Sequence, residues 1–97
     1  MTETQLLKVL KVDLGITTNA FDERLEQYIE TAKAEIEREG AKLDLSVMDH
    51  CSVVTMYAAW MWRRRDTGDG MPRMVRYALN NLVFGQKMAE GKEKSDD

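Results

Sequence analysis

Ten consecutive residues, Val53 to Trp62 (VVTMYAAWMW), are almost entirely apolar, and no other stretch of this chain narrows its fold as far. As a helix the run measures about 15 Å, half of a bilayer core, so it is too short to cross a membrane. No strand-like alternation persists around it long enough to compete with helical spacing. The spacing predicts a helix over residues 46–65 with Val47, Cys51, Val54, Ala58 and Met61 on one stripe. Met56, Tyr57, Trp60 and Trp62 fall outside that stripe. A helix apolar on every side is either the centre of its domain or shares its surface with a partner. Both are expected here.

Around this helix the sequence predicts an all-α domain of four helices. A first helix over 3–14 opens with a capping box, Thr2 with Gln5, carries Leu6, Leu7, Leu10 and Leu14, and ends at Gly15. A second helix over 20–39 places Phe21, Leu25, Tyr28, Ile29, Ala32 and Ile36 on one face, with Asn19 or Thr18 as its N-cap and Gly40 at C′. Its opposite face is acidic: Glu23, Glu26, Glu30 and Glu37. Asp44 or Ser46 should cap the third helix, Ser46 forming a capping box with Asp49. After the break RDTGDGMP, Pro72 opens a fourth helix over 72–84 that buries Val75, Leu79, Leu82 and Val83, and Gly85 stops it. Residues 1–87 therefore read as one domain, and the polar stretch 88–97 as a disordered tail. The expected core contains Leu10, Leu25, Ile29, Ile36, Val54, Met61, Val75 and Leu79.

The residues for catalysis are scarce. The one histidine, His50, is flanked by Asp49 and Cys51, but neighbours on a helix diverge by about 100° and cannot converge on a substrate. One His and one Cys also fall short of a zinc site. Cys51 is expected in the core and His50 at the surface or an interface. No phosphate-binding glycine motif or nucleophile elbow occurs. The expectation is a protein that is not an enzyme and needs no cofactor or metal. The start, MTETQLLKVLKVDLG, lacks a basic stretch followed by a continuous apolar run, so no signal peptide is expected. The lone cysteine suits a reducing compartment.

Charge is distributed unevenly. Residues 1–59 carry 6 Lys/Arg against 11 Asp/Glu, whereas residues 60–87 carry 6 against 2. Arg63, Arg64, Arg65, Arg73 and Arg76 should form one basic edge around a hinge at Gly68, Gly70 and Pro72, with Met56, Met61, Met71 and Met74 as an adaptable joint beside it.

The order of LLKVLKVDLGI, FDERLEQYIETAKAEIEREG, an aromatic helix and GDGMPRMVRYALNNLVFGQ resembles the small head–tail connector proteins of tailed bacteriophages and prophages, also called head-completion or adaptor proteins. The resemblance covers residues 4–87 and is most specific at Asp22, Leu25, Ile29 and Ala32 and from Met71 to Leu82. It implies a structural virion protein, made in the host cytoplasm and placed at the head–tail junction. Such proteins form a ring, matching the usual twelve-fold symmetry of the portal, that extends the DNA channel and completes the head after packaging. The implied partners are other copies of the chain, the portal protein and a tail-completion protein. DNA would pass through without sequence-specific binding, and no membrane is involved. Under this reading Trp60, Trp62, Met56, the arginines, and Glu23, Glu26 and Glu30 serve subunit and portal contacts. The alternative is a helix-turn-helix DNA-binding protein, a phage regulator or small packaging subunit, whose fourth helix would read bases with Arg73, Arg76, Asn80 and Asn81. Its TGDGMP connection is longer than the usual turn of about three or four residues.

Overall fold

In the computed structural model, which describes residues 1–68 and 70–95, the chain forms four helices: α1 (Glu3–Leu14), α2 (Asp22–Arg38), α3 (Met48–Thr67) and α4 (Arg73–Ser95). No strand occurs among the described residues. α3 is the helix that packs on all three others, while α1 and α2 also pack on each other. The all-α, α3-centred architecture is the expected one.

Local chemistry explains most boundaries. The Thr2 hydroxyl accepts from the Gln5 amide, and the Gln5 side chain accepts from the Thr2 amide at 2.8 Å, so both halves of the capping box form. α1 ends where Gly15 takes φ 72°, with Gly15 N–H donating to Val12 and Ile16 N–H to Lys11. α2 ends the same way. Gly40 (φ 112°) donates to Glu37 and Ala41 to Ile36, a Schellman arrangement whose apolar contact joins buried Ala41 to buried Ile36.

Two expected caps are not used. α2 starts behind Phe21, with no side-chain cap, and Asn19 instead accepts a hydrogen bond from Lys11 Nζ at 3.0 Å. Lys11 also lies 2.9 Å from Asp22 as an ion pair, which holds the α1–α2 connection in place of a cap. Phe21 takes the N-cap position because its ring stands edge-on to Trp62, 5.3 Å between centroids. α3 starts behind Val47 rather than Asp44 or Ser46. Asp44 turns back onto Ser46, accepting from its amide at 2.9 Å and its hydroxyl at 2.6 Å, so both polar side chains are spent on a local turn. These two bonds hold the Asp44 carboxyl below the usual aspartate range.

Every residue expected in the core is buried there, and so are Leu6, Val53, Ala59 and the free thiol of Cys51. Two corrections concern α3. Trp62 and Tyr57, expected as surplus apolar surface for a partner, are each only 9% exposed. Trp62 stands edge-on to Phe21 and also to Tyr28, where the centroids are 6.2 Å apart, so α2 supplies the cover that periodicity could not reveal. Val47, assigned to the inner stripe, is exposed because it precedes the helix.

The expected stop at Gly85 is not observed: α4 runs through it to Ser95. A glycine inside a helix costs about 1 kcal/mol, too little to break it among good helix formers such as Gln86, Lys87 and Met88. Beyond Gly85 the Gln86 side chain is pinned to the loop after α2, donating to Lys42 C=O and accepting from Lys42 N–H, both at 2.7 Å. Much of the stretch expected as a disordered tail is thus helical in backbone, and residues 96–97 lie outside the described residues.

Ile29 sits in the middle of the buried face of α2 and is 2% exposed. Ile29→Ala should lower unfolding free energy by about 2–5 kcal/mol in denaturant titrations, whereas a loss below about 0.5 kcal/mol would contradict this packing.

Candidate assembly surface

α4 is apolar on two sides. Toward α3 it presents Val75 and Leu79, both buried, with Ala78, Leu82 and Val83 packed against the same core. At about 100° per residue, Met74, Tyr77, Phe84 and Met88 point the other way. They are 72%, 57%, 68% and 63% exposed. Their spacing, with exposed Asn81 between them, runs 3, 4, 3 and 4 residues, the interval of a helix-packing seam. One flank of the seam carries Arg73, Asn80 and Lys87, and the other carries Ala78 and Gly85. Beside Gly85 there is open space where a side chain would stand. This face was missed in the sequence because the inward stripe of α4 accounts for a helix by itself. The signal was a second apolar series, about half a turn from the first.

The arginines expected at a basic edge make different contacts. Arg63 reaches toward the Asp13 carbonyl at the end of α1. Arg64 lies over the Trp60 ring at 4.7 Å, and Arg65 over Trp62 at 3.6 Å while donating to the Trp62 carbonyl. Both are cation–π contacts that seal the end of α3. Arg76 forms an ion pair with Glu39 at 2.9 Å, tying α4 to the end of α2. Arg73 is exposed beside the outward seam. Three arginines of the α3 end thus have separate local duties, because successive helical positions diverge.

Of the expected hinge, Gly68 takes φ 69° and closes α3 by donating to Arg64 at 2.7 Å. The Gly70 carbonyl accepts from Trp60 Nε1 at 3.1 Å, and the Pro72 carbonyl accepts the first α4 amide bond from Arg76. Trp60, half-buried and edge-on to Tyr57, therefore fastens the connection to α3. Among the methionines expected at a joint, Met61 is buried, Met56 and Met71 are partly buried against the core, and only Met74 is largely exposed. Of the expected interface residues, Trp60 and Met56 thus keep some exposed surface and Trp62 almost none.

An open acidic groove lies between the start of α1 and α2. Glu3, Glu23, Glu26 and Glu30 line it. Lys33 bridges two of these, 2.6 Å from Glu3 and 3.4 Å from Glu30. The hydrogen bond from Lys33 holds the Glu3 carboxyl below its ordinary range, and the bond to Glu3 raises the Lys33 ammonium above its own.

His50 Nδ1 accepts from the Asp44 amide at 2.9 Å, and Cys51 Sγ donates to the Leu45 carbonyl. Both therefore fix the entry to α3 and do not converge on a common point. Among the described residues no cluster of three or more His, Cys, Asp or Glu could hold a metal, and no helix is long and apolar enough to cross a membrane. Comparison with family models, with curated proteins and with solved structures finds no match to this chain.

The Glu3–Lys33 contact has a definite pH signature. A depressed carboxyl contributes stability at neutral pH that is lost as pH falls through its folded value, and a raised ammonium contributes until pH rises past the ordinary lysine range. Lys33→Met should therefore melt below wild type at neutral pH, and the gap should close in acid below the glutamate range. A gap that stays constant between neutral and acid would assign the effect to packing alone.

Proposed function

We propose that this chain is a structural connector that assembles into a ring between the portal and the tail of a tailed-bacteriophage or prophage particle. There it extends the DNA channel and completes the head. The observation that carries the reading is the outward face of α4: four large apolar side chains in helix-packing register, uncovered by the chain itself. Exposed apolar surface of this kind marks an interaction site. A closed ring needs two different, complementary surfaces on each subunit. The α4 seam with Arg73 and Lys87 beside it supplies one. The acidic α2 face, with Glu23, Glu26 and Glu30 in a groove lined by α1 and α2, supplies the other. The resemblance in residue pattern to head–tail connectors directs the assembly to the portal and a tail-completion protein. The chain would work in the host cytoplasm during assembly and then in the virion, without catalysis, cofactor or membrane.

Charge pairing between the two surfaces would orient neighbours more than hold them, since exposed pairs contribute about 0–1 kcal/mol each. Holding falls to the apolar seam. Gly68, Gly70 and Pro72 would let α4 adjust its angle on assembly once the Trp60–Gly70 bond opens. The helix-turn-helix alternative fits less well. A recognition helix turns polar side chains outward to bases, whereas here Met74, Tyr77, Phe84 and Met88 face out and Arg76 is held by Glu39.

Two measurements test the reading. Negative-stain images and solution mass, with portal present, should show rings for the wild type. Tyr77→Glu and Phe84→Glu should abolish them while helicity by circular dichroism stays near wild type, and Arg73→Glu should weaken them. Duplex DNA binding should be weak and vanish between about 50 and 200 mM salt. Sequence-selective, submicromolar binding at the upper end would overturn the connector reading.

A further inference from the structure

The outward seam of α4 is symmetric about Asn81 to within one residue. Asn81 stands at its centre, Met74 and Met88 each lie seven residues away, and Tyr77 and Phe84 lie four residues before and three after. The flanks are centred within about one residue of Asn81. Ala78 and Gly85 lie on one side, and Arg73, Asn80 and Lys87 on the other. Such a seam can meet its own copy in reverse direction, because a two-fold axis brings the same patch of both subunits together.

We infer that, before assembly, two copies pair through α4 in antiparallel orientation about a two-fold axis near Asn81. The inference rests on the reading of this face as the assembly surface, and adds how that face is covered until it is used. In the pair, Asn81 meets Asn81 of the second copy, and their side-chain amides hydrogen-bond in the manner of a polar seam position that fixes register. Met74 meets Met88 of the second copy, and Tyr77 lies within one residue, about 1.5 Å, of the level of Phe84, so aromatic packs beside aromatic and thioether on thioether. Ala78 and Gly85 meet their counterparts, and the open space beside Gly85 lets the two backbones approach.

The area suffices for an association that can be undone. With roughly 150–250 Å² per aromatic side chain, the four exposed residues of two copies bury on the order of 1,000 Å², the lower bound of a specific interface. The basic flanks work against the pair, since Arg73 of one copy comes near Lys87 of the other. Salt screens that repulsion, with a Debye length of about 10 Å at 0.1 M, so the pair tightens as salt rises. A contact between the α4 basic flank and a neighbour's acidic α2 weakens under the same change. The pair therefore occupies the ring surface in free protein and must separate before a neighbour can dock on it.

The experiment uses the full chain and engineered cysteines, with the buried Cys51 of the wild type as the control that should not cross-link. Asn81→Cys should oxidise to a disulfide-linked dimer. A mixture of Met74→Cys and Met88→Cys chains should cross-link to each other, and neither should do so alone. Light scattering of the wild type should give twice the chain mass, with a dimer fraction that rises between about 50 and 500 mM salt. Phe84→Glu should raise the dissociation constant more than about tenfold with helicity unchanged. The oxidised Asn81→Cys dimer should fail to enter rings and regain the ability on reduction. A single-chain mass at millimolar concentration, no Asn81→Cys dimer, a dimer fraction that falls with salt, or self-cross-linking of Met74→Cys in a parallel pair would each overturn the inference. Portal-bound rings without the Asn81→Cys dimer would remove the resting pair and leave the connector reading standing. That dimer without rings would do the reverse.

Discussion

Burial of α3 is the condition on which the rest of the structure depends. A twenty-residue helix with apolar side chains on nearly every side must be covered by something, and α1, α2 and α4 each take one sector of it. Val54 and Ala58, at its middle, are completely inaccessible. The hydrophobic term is non-directional, so any helix with an apolar stripe could have served. What selects the partners is shape and edge chemistry. Trp62 is enclosed by Phe21, at the N-cap of α2, and Tyr28 within it, and is capped by Arg65, and Trp60 is bonded through its indole N–H to the Gly70 carbonyl. The large aromatic residues thus decide where α2 begins and how the chain leaves α3.

This arrangement spends the α3 surface and leaves that of α4. α1 and α2 pack on α3 and on each other, while α4 lies chiefly on α3, so its far side has no cover within the chain. Gln86 and Arg76 fasten α4 from its edges, to Lys42 and Glu39, and leave the outward seam untouched. An interaction protein built this way separates two tasks. Internal stability comes from the α3 core, and association comes from a helix whose outer face contributes nothing to that core. The acidic groove is lined by α1 and α2, whereas Arg63 and Arg64 share a groove with Pro72 and Met74 at the start of α4.

The fold and much of the core were legible because they follow from local periodicity. The stripes of α1 and α2, the capping box at Thr2, the glycine ends at Gly15 and Gly40, and every expected core residue depend on neighbours within a turn or two. Three matters were not legible. The caps of α2 and α3 went to Phe21 and Val47, since Asn19 bonds Lys11 from another helix and Asp44 prefers Ser46. Gly85 did not end α4, because one glycine's cost is small against a helix held by Gln86. The three arginines adjacent in sequence turned to different partners, Arg63 to the α1 end, Arg64 to Trp60 and Arg65 to Trp62.

What the sequence determined by itself, then, is an all-helical domain with an aromatic helix at its centre, because a helical repeat of apolar residues has one economical way to leave water. What only the tertiary structure decided is which apolar residues remain outside. Trp62 and Tyr57 looked like surplus and are enclosed, whereas Tyr77 and Phe84 looked like ordinary members of a helix and are exposed. Hydrophobicity states that a side chain gains by burial. Only the positions of the other helices state whether the chain can supply it.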